Sequence, residues 1–249
     1  MDYSLILLVV GAVFLGSLTR STFGFGDAVV SMPLLALLPI PYSVAVALVG
    51  LVGFTVALFF AFSGWKDKDS VVLKQMSLAT LLGIPFGLLL IRFASQRWIS
   101  LCLGLLLIAY ALYSLLGPKT HQRSIQKTFE NNYYSIPFGF ASGMLGSAYN
   151  LNGTPIVLYA TLRNWSPKVF RGNVQSHFII SSSFILISHF LSGFWTKEVG
   201  VYYLFSIPAV LAAIGLGNFI YGKIDTENFK KYVFYSIFVL GLFTLSDFF

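Results

Sequence analysis

The sequence predicts an all-α polytopic membrane protein, with one membrane domain over residues 1–249, and three observations point there. The first is composition: 57% of residues are hydrophobic, only 10% are charged, and mean hydropathy is +0.80. A soluble domain carries about a quarter charged residues to keep its surface wet, so a soluble enzyme or binding module is excluded. The second is that apolar windows of about 20 residues, enough to cross a bilayer, recur along the chain. The third is that the order of these windows runs through once and then starts again.

Taken in order, a short apolar stretch runs Ser4–Leu18 and is interrupted by Thr19–Asp27, which includes Arg20 and Phe23-Gly24-Phe25-Gly26. A second short stretch, Ala28–Leu38, stops at Pro39-Ile40-Pro41, where proline cannot continue a helix. Full spans are expected at Tyr42–Phe62, Val71–Ile91 and Trp98–Leu116, followed by the polar connector Gly117–Asn132. The pattern then restarts. A stretch at Tyr133–Leu145 is interrupted by Gly146–Thr154, a second runs Pro155–Leu162, and spans follow at Lys168–Leu191, Val199–Tyr221 and Phe229–Leu245. The N-terminus opens Met1-Asp2-Tyr3 without a basic leader region, so Tyr3 onward is expected to be a retained membrane segment.

The restart reads as a duplication. Gly16 and Gly26 align with Gly143 and Gly153, Ser63-Gly64-Trp65 with Ser192-Gly193-Phe194, and Ile84-Pro85-Phe86-Gly87 with Ile214-Gly215-Leu216-Gly217. The division is a first repeat over 1–117, a connector over 118–132 and a second repeat over 133–249. Each repeat holds one re-entrant or broken helical hairpin and three spanning helices.

Charge placement orients these segments. The net charge of +7 comes from basic residues in short loops, without the long basic and aromatic run that nucleic acid would need. If each interrupted pair returns to its starting side, one face receives Lys66, Lys68, Lys74, Lys119, Arg123, Lys127, Arg163, Lys168, Arg171, Lys223, Lys230 and Lys231. The other receives only Arg92, Arg97 and Lys197. Single kinked crossings would divide the charges evenly. The positive-inside rule therefore favours hairpins, with the connector in the cytoplasm and both termini outside an inner (plasma) membrane. Three net crossings per half make the halves inverted. The single cysteine, Cys102, precludes an intrachain disulfide and is expected to be a small buried apolar residue.

Inverted repeats with broken helices are the common build of secondary transporters, whose substrate sits where the breaks meet. A half-helix that starts inside the membrane presents unpaired N–H groups and the positive end of its dipole to an anion. Gly24, Gly26 and Gly153 would let backbone approach the ligand, and Thr22, Ser147, Asn150, Asn152 and Thr154 could add hydrogen bonds. Arg20 would carry a charge well into the membrane, where ionisable groups are functional or paired. Both readings stand: contact with the anion, or a salt bridge to Asp27. Asp27 is expected to cap or charge the following helix, with an ion-pair or proton role as the alternative. On the helix after the second hairpin, Asn173, His177 and Ser181 share a face, with His177 near mid-depth as a substrate contact or proton relay. His189 is read as structural. Phe140-Ala141-Ser142-Gly143 is similar to the serine motif of intramembrane proteases, with His177 as base, so a hydrolase is the alternative class. A channel-like anion conduit is a third reading. Neither a metal cluster nor a Walker motif is present in the sequence, so no cofactor is expected.

The early Phe23-Gly24-Phe25-Gly26 followed by Met32-Pro33, its counterpart at Gly146–Pro155, and the duplicated halves resemble the sulfite exporter TauE/SafE family over nearly the whole chain. The resemblance implies export or uptake of a small sulfur-containing oxyanion, organosulfonate or related organic anion. The expected partners are that anion and membrane lipid, with a coupling proton or cation and a homo-oligomer left open.

Overall fold

The computed structural model describes residues 3–60, 68–116, 131–163 and 165–221, with scattered positions between 234 and 245. The described residues are mostly helical, joined by short turns and without strands. In chain order they form α1 (Tyr3–Phe23), α2 (Asp27–Ala36), α3 (Tyr42–Phe60), α4 (Ser70–Phe93) and α5 (Gln96–Leu116). A 3₁₀ turn (Asn132–Tyr134) leads into α6 (Ser135–Tyr149), α7 (Gly153–Leu162), α8 (Pro167–Leu191) and α9 (Lys197–Tyr221). Five of these helices contain a stretch long and apolar enough to cross a membrane. The expected connector lies outside the described residues except for its last two positions, and so does most of the expected span Phe229–Leu245.

Local chemistry explains where the helices start. Asp69 caps α4, its carboxylate accepting from the backbone N–H groups of Val71 and Val72. Ser166 caps α8, with Pro167 in its first turn, where the missing N–H has no intrahelical partner to lose. Leu7, Leu82, Phe86, Phe93 and Leu204 are exposed. In water this apolar exterior would aggregate, and in lipid it is the expected surface.

The two interrupted segments are helical hairpins. The α1 and α2 arms pack on each other, as do α6 and α7. At about 1.5 Å per residue, the ten-residue α2 and α7 each rise about 15 Å, half the hydrocarbon thickness. The first arm differs from expectation. Instead of breaking at Thr19, α1 continues to Phe23 and has 21 residues. The hydroxyls of Thr19 and Thr22 bond back to the carbonyls of Leu15 and Leu18, which satisfies them inside the helix. The break is confined to Gly24-Phe25-Gly26. The second break is likewise narrower, at Asn150-Leu151-Asn152.

Glycines set how each hairpin is held. The long arm α6 lies along α4 in the same direction, with Gly139 against Met76 and Ala79, Gly143 against Thr80, and Gly87 against Ala148. The long arm α1 lies along α9, with Gly217 near the end of α9 against Ser21 and Thr22 near the end of α1. Small residues let backbones approach where lipid provides no hydrophobic drive for association. Across the first interface Thr80 Oγ1 donates to Gly139 O at 3.0 Å and Ser147 Oγ to Ile84 O at 2.9 Å. Cys102 is exposed on α5 rather than buried, because α5 turns Leu103 and Leu107 to the core instead.

A methyl group on Gly143 would stand 2.8 Å from the Thr80 carbonyl carbon, whereas Gly11 has nothing within 4 Å. Gly143→Ala is expected to destabilise the protein by about 1–3 kcal/mol, the usual cost of overpacking. Gly11→Ala should be neutral or stabilising by up to about 1 kcal/mol. Thermal denaturation in detergent checks the pair, and equal melting temperatures for the two variants would contradict this packing.

Candidate functional site

The first hairpin brings a buried charge pair together. The turn after α1 is made by Gly24 and Gly26, whose φ angles of 83° and 98° lie in the left-handed region that favours glycine. This reversal lays the start of α2 beside the end of α1. Arg20 Nη1 then donates to Asp27 Oδ2 at 2.6 Å, with side-chain exposures of 2% and 11%. Asp27 makes no capping bond of its own; the N-cap is Gly26, and the carboxylate is used by Arg20.

Two other helices complete the surroundings. On α3, a methyl at Gly53 would stand 2.9 Å from Asp27 Oδ2 and 3.3 Å from Arg20 Nη1, so only glycine lets α3 pass this close. On α8, the Phe178 ring carries the guanidinium carbon 4.3 Å from its centroid, a cation–π contact worth about 2 kcal/mol when desolvated. Gln175 Nε2 donates to Gly24 O at 3.2 Å, tying the hairpin turn to α8. Even so, Arg20 Nε and Nη2 have no hydrogen-bond partner, nor does Gln175 Oε1. An arginine offers five N–H donors, and buried donors left unmade cost about 1–3 kcal/mol each, more for charged groups. Chemically, this is a dry cationic group with free hydrogens, neutralised by one carboxylate.

The second hairpin is held mostly by neutral hydrogen bonds. Asn150 adopts a left-handed conformation (φ 55°) at the end of α6 and donates from Nδ2 to Val46 O on α3. Asn152 Nδ2 donates to Ser181 Oγ at 2.7 Å, and its carbonyl accepts from Ser142 Oγ at 2.7 Å. His177 Nε2 meets Ser142 Oγ at 2.9 Å. Since a carbonyl cannot donate, the Ser142 hydrogen goes to Asn152 O and His177 Nε2 must donate to Ser142. Asn173 Oδ1 accepts from Asp69 N at 2.9 Å, and its Nδ2 donates to Val169 O. Thr154 contributes its backbone N–H to Leu151 O.

The sequence-derived candidates therefore divide. Arg20, Asp27, Gly24 and Gly26 form one cluster with Gly53, Gln175 and Phe178. Asn152 and His177 lie in a second network with Ser142 and Ser181, while Asn150 reaches α3, Asn173 reaches the start of α4, and the Thr22 hydroxyl stays within α1. Phe178 stands between the hairpin tips, with Arg20 against its face and Gly153 so close that a methyl there would lie 2.5 Å from Cζ. The volume between the tips is filled by this ring. Gly153 is thus a close-packing position, and Gly26 supplies a backbone conformation. The sequence placed Gln175 only near the polar stripe of Asn173 and His177, and gave Gly53 and Phe178 no role. The signal for Gly53 was a second glycine three residues after Gly50 in an apolar helix. Among the described residues, no group of three or more His, Cys, Asp or Glu gathers to hold a metal.

Comparison with known proteins matches residues 8–244 to the family described as Sulfite exporter TauE/SafE. No curated protein and no solved structure matches the chain.

Removing one partner of the buried pair strands the other charge. Arg20→Ala and Asp27→Ala are each expected to cost about 3–5 kcal/mol, and the double variant should recover most of that loss. Thermal melts of the three purified variants check this. Additive losses in the double variant would show that the two side chains are not energetically coupled.

Proposed function

The chain belongs to the sulfite exporter TauE/SafE family, a family of membrane transporters, and on that premise we propose that it is a secondary transporter whose substrate is a small sulfur oxyanion or organosulfonate. Arg20 Nε and Nη2 are the proposed anion contacts. The observation that carries this reading is a guanidinium, 2% exposed, with both nitrogens unpartnered beside a glycine-lined face of α3. A planar fork of donors is the group best matched to an oxyanion. Asp27 holds the fork in place, and Gly24 and Gly53 keep the approach clear. Gly26, Gly153, Thr22, Thr154, Asn150, Asn152, Asn173 and His177 complete the proposed site region, with Phe178 the side chain that must turn aside for an anion to sit between the tips.

The proposed architecture is a pair of inverted repeats, 1–117 and 133–249. Its support is reciprocal packing: the long arm of each hairpin lies on the second spanning helix of the other half, α1 on α9 and α6 on α4, with Gly217 and Gly87 in matching roles. Both termini are proposed to face the exterior of the plasma membrane, and residues 118–132 the cytoplasm. The hydrolase reading draws on the contact between Ser142 and His177. The polarity of that contact opposes it, because a base must accept the serine proton and His177 donates instead.

Two measurements test the proposal. Ligand-induced thermal stabilisation, scanned over sulfite, sulfate, thiosulfate, taurine, sulfoacetate and simple carboxylates, should single out sulfur oxyanions or sulfonates. In the double variant Arg20→Ala with Asp27→Ala, affinity should fall about 10- to 100-fold, the worth of one charge-assisted hydrogen bond. Unchanged affinity in a folded double variant removes Arg20 from the site. For topology, cysteines at Thr120 and Ser246, in a background lacking the exposed Cys102, should label from opposite sides of the membrane. Labelling from one side would contradict the inverted arrangement.

A further inference from the structure

Helix α3 passes two polar pairs one turn apart. Gly53 faces Arg20 and Asp27. Gly50, three residues earlier and about 4.5 Å along the axis, faces His189 and Asn150: a methyl on Gly50 would stand 3.6 Å from His189 Nδ1 and 3.1 Å from Asn150 Oδ1. His189 is fully buried, and its Nε2 lies 2.9 Å from the Ser147 carbonyl. A carbonyl only accepts, so Nε2 carries the hydrogen and the neutral ring has a bare lone pair on Nδ1. That nitrogen has no partner. Asn150 commits one amide hydrogen to Val46 O, and its oxygen is the atom nearest a methyl on Gly50. Two acceptors thus face Gly50, with the Leu186 Cδ2 methyl beside them at 3.3 Å from the same point.

We propose that His189 Nδ1 and Asn150 Oδ1 form a proton-binding site that loads one proton together with the anion held at Arg20. The proposal rests on the reading of Arg20 as the anion contact. The chemistry is a simple protonation: a proton from water adds to the Nδ1 lone pair, giving an imidazolium that donates Nδ1–H to Asn150 Oδ1 and keeps Nε2–H on Ser147 O. Charge accounting supplies the coupling. Arg20 and Asp27 together are neutral, so a bound monoanion leaves one net negative charge in a low-dielectric interior, which is costly. A proton at His189, one turn of α3 away, brings the sum to zero. A metal cation would need more oxygen ligands than this pair offers.

An open volume lies near His189. A cavity of about 870 Å³ is lined by Tyr42, Arg92, Leu191, Ser192 and Phe194. It lies at the end of α8 just beyond His189, on the side that the charge pattern assigns to the exterior. The Phe194 ring, part of the cavity lining, lies against His189, centroids 5.5 Å apart. The titratable groups on the elements packed around α8 are Tyr42 on α3, Tyr149 on α6, Tyr159 on α7, and the exposed Lys74 and Arg92 on α4. On α8 itself they are Lys168, Arg171 and His177. The carboxylate at the start of α4, Asp69, meets α8 at Asn173, about four turns from His189, Glu198 on α9 is exposed, and Asp27 is committed to Arg20, so the arriving anion is the proposed counter-ion.

The test uses the full protein in lipid bilayers with ¹⁵N-histidine, whose three residues are assigned by single His→Gln variants, or by elimination if His189→Gln does not fold. His189 should show a bare Nδ1 at high pH and protonate there on acidification. Isethionate, a sulfonate whose charge is constant over that range, should shift the transition upward. By calorimetry in buffers of differing ionisation enthalpy, isethionate binding should take up about one proton, and its affinity should rise about tenfold on acidification, as expected for charges within about 10 Å. His189→Gln should bind isethionate with no proton uptake and a flat pH profile. A His189 that keeps a bare Nδ1 at low pH with isethionate present overturns the proposal, as does proton uptake undiminished in His189→Gln. Titration of His189 in a protein that binds none of the sulfonates or sulfur oxyanions supports the proton site and contradicts the anion reading.

Discussion

A guanidinium with 2% exposure, bonded to one carboxylate at 2.6 Å, is the constraint around which this molecule is arranged. Taking both charges out of water costs several kcal/mol per ion even after relaxation, and one hydrogen bond does not offset that. The pair persists because the turn, the neighbours and the backbone are built to it. Gly24 and Gly26 take left-handed conformations so that Asp27 opens α2 opposite Arg20. Gly53 removes the methyl that would collide with the pair, Phe178 offers its face to the cation, and Gln175 ties the turn to α8. The arrangement still leaves Arg20 Nε and Nη2 unpartnered. A device for stability alone would fill those positions. On the proposed reading they are left for a ligand.

The same economy of side chains holds the hairpins in place. Neither hairpin has a short arm long enough to anchor it across the bilayer, so each depends on its long arm lying close against a full helix. At Gly139, Gly143 and Gly87 on one interface, and Gly217 on the other, an added methyl would meet backbone atoms at 3.2 Å or less. Contacts this close fix depth as well as direction, and depth is what sets Arg20 level with Gly53 and Phe178. In the second half the corresponding work is done by neutral groups, with Asn150, Asn152, Ser142 and Ser147 bonding to α3, α8 and α4. One half carries the charge and the other carries the hydrogen-bond frame, with Phe178 at their meeting point.

Much of this was legible in the sequence. Periodic apolar windows gave the helix order, and two interruptions gave the hairpins, because length and hydropathy follow directly from bilayer thickness. The breaks were placed too wide because hydroxyls look like interruptions in a linear reading. In three dimensions Thr19 and Thr22 bond to carbonyls four residues back and prolong α1. The proximity of Arg20 and Asp27 was readable from their spacing across a glycine turn. Which residues surround them was not. Gly53 lies 33 positions from Arg20 and Phe178 lies 158 away, and nothing local to either marks the contact. His177 drew attention through its polar stripe, yet that stripe serves the second hairpin's frame. The residue against Arg20 is its apolar neighbour Phe178.

The most direct test of the central claim is a crystal structure of the protein soaked with selenate, an anomalously scattering oxyanion. The account predicts an anomalous peak within hydrogen-bonding distance of Arg20 Nε and Nη2, beside Gly53, with the Phe178 ring displaced from its present position. Selenate bound elsewhere in the transmembrane region, with both nitrogens still unpartnered under an unmoved ring, would contradict it.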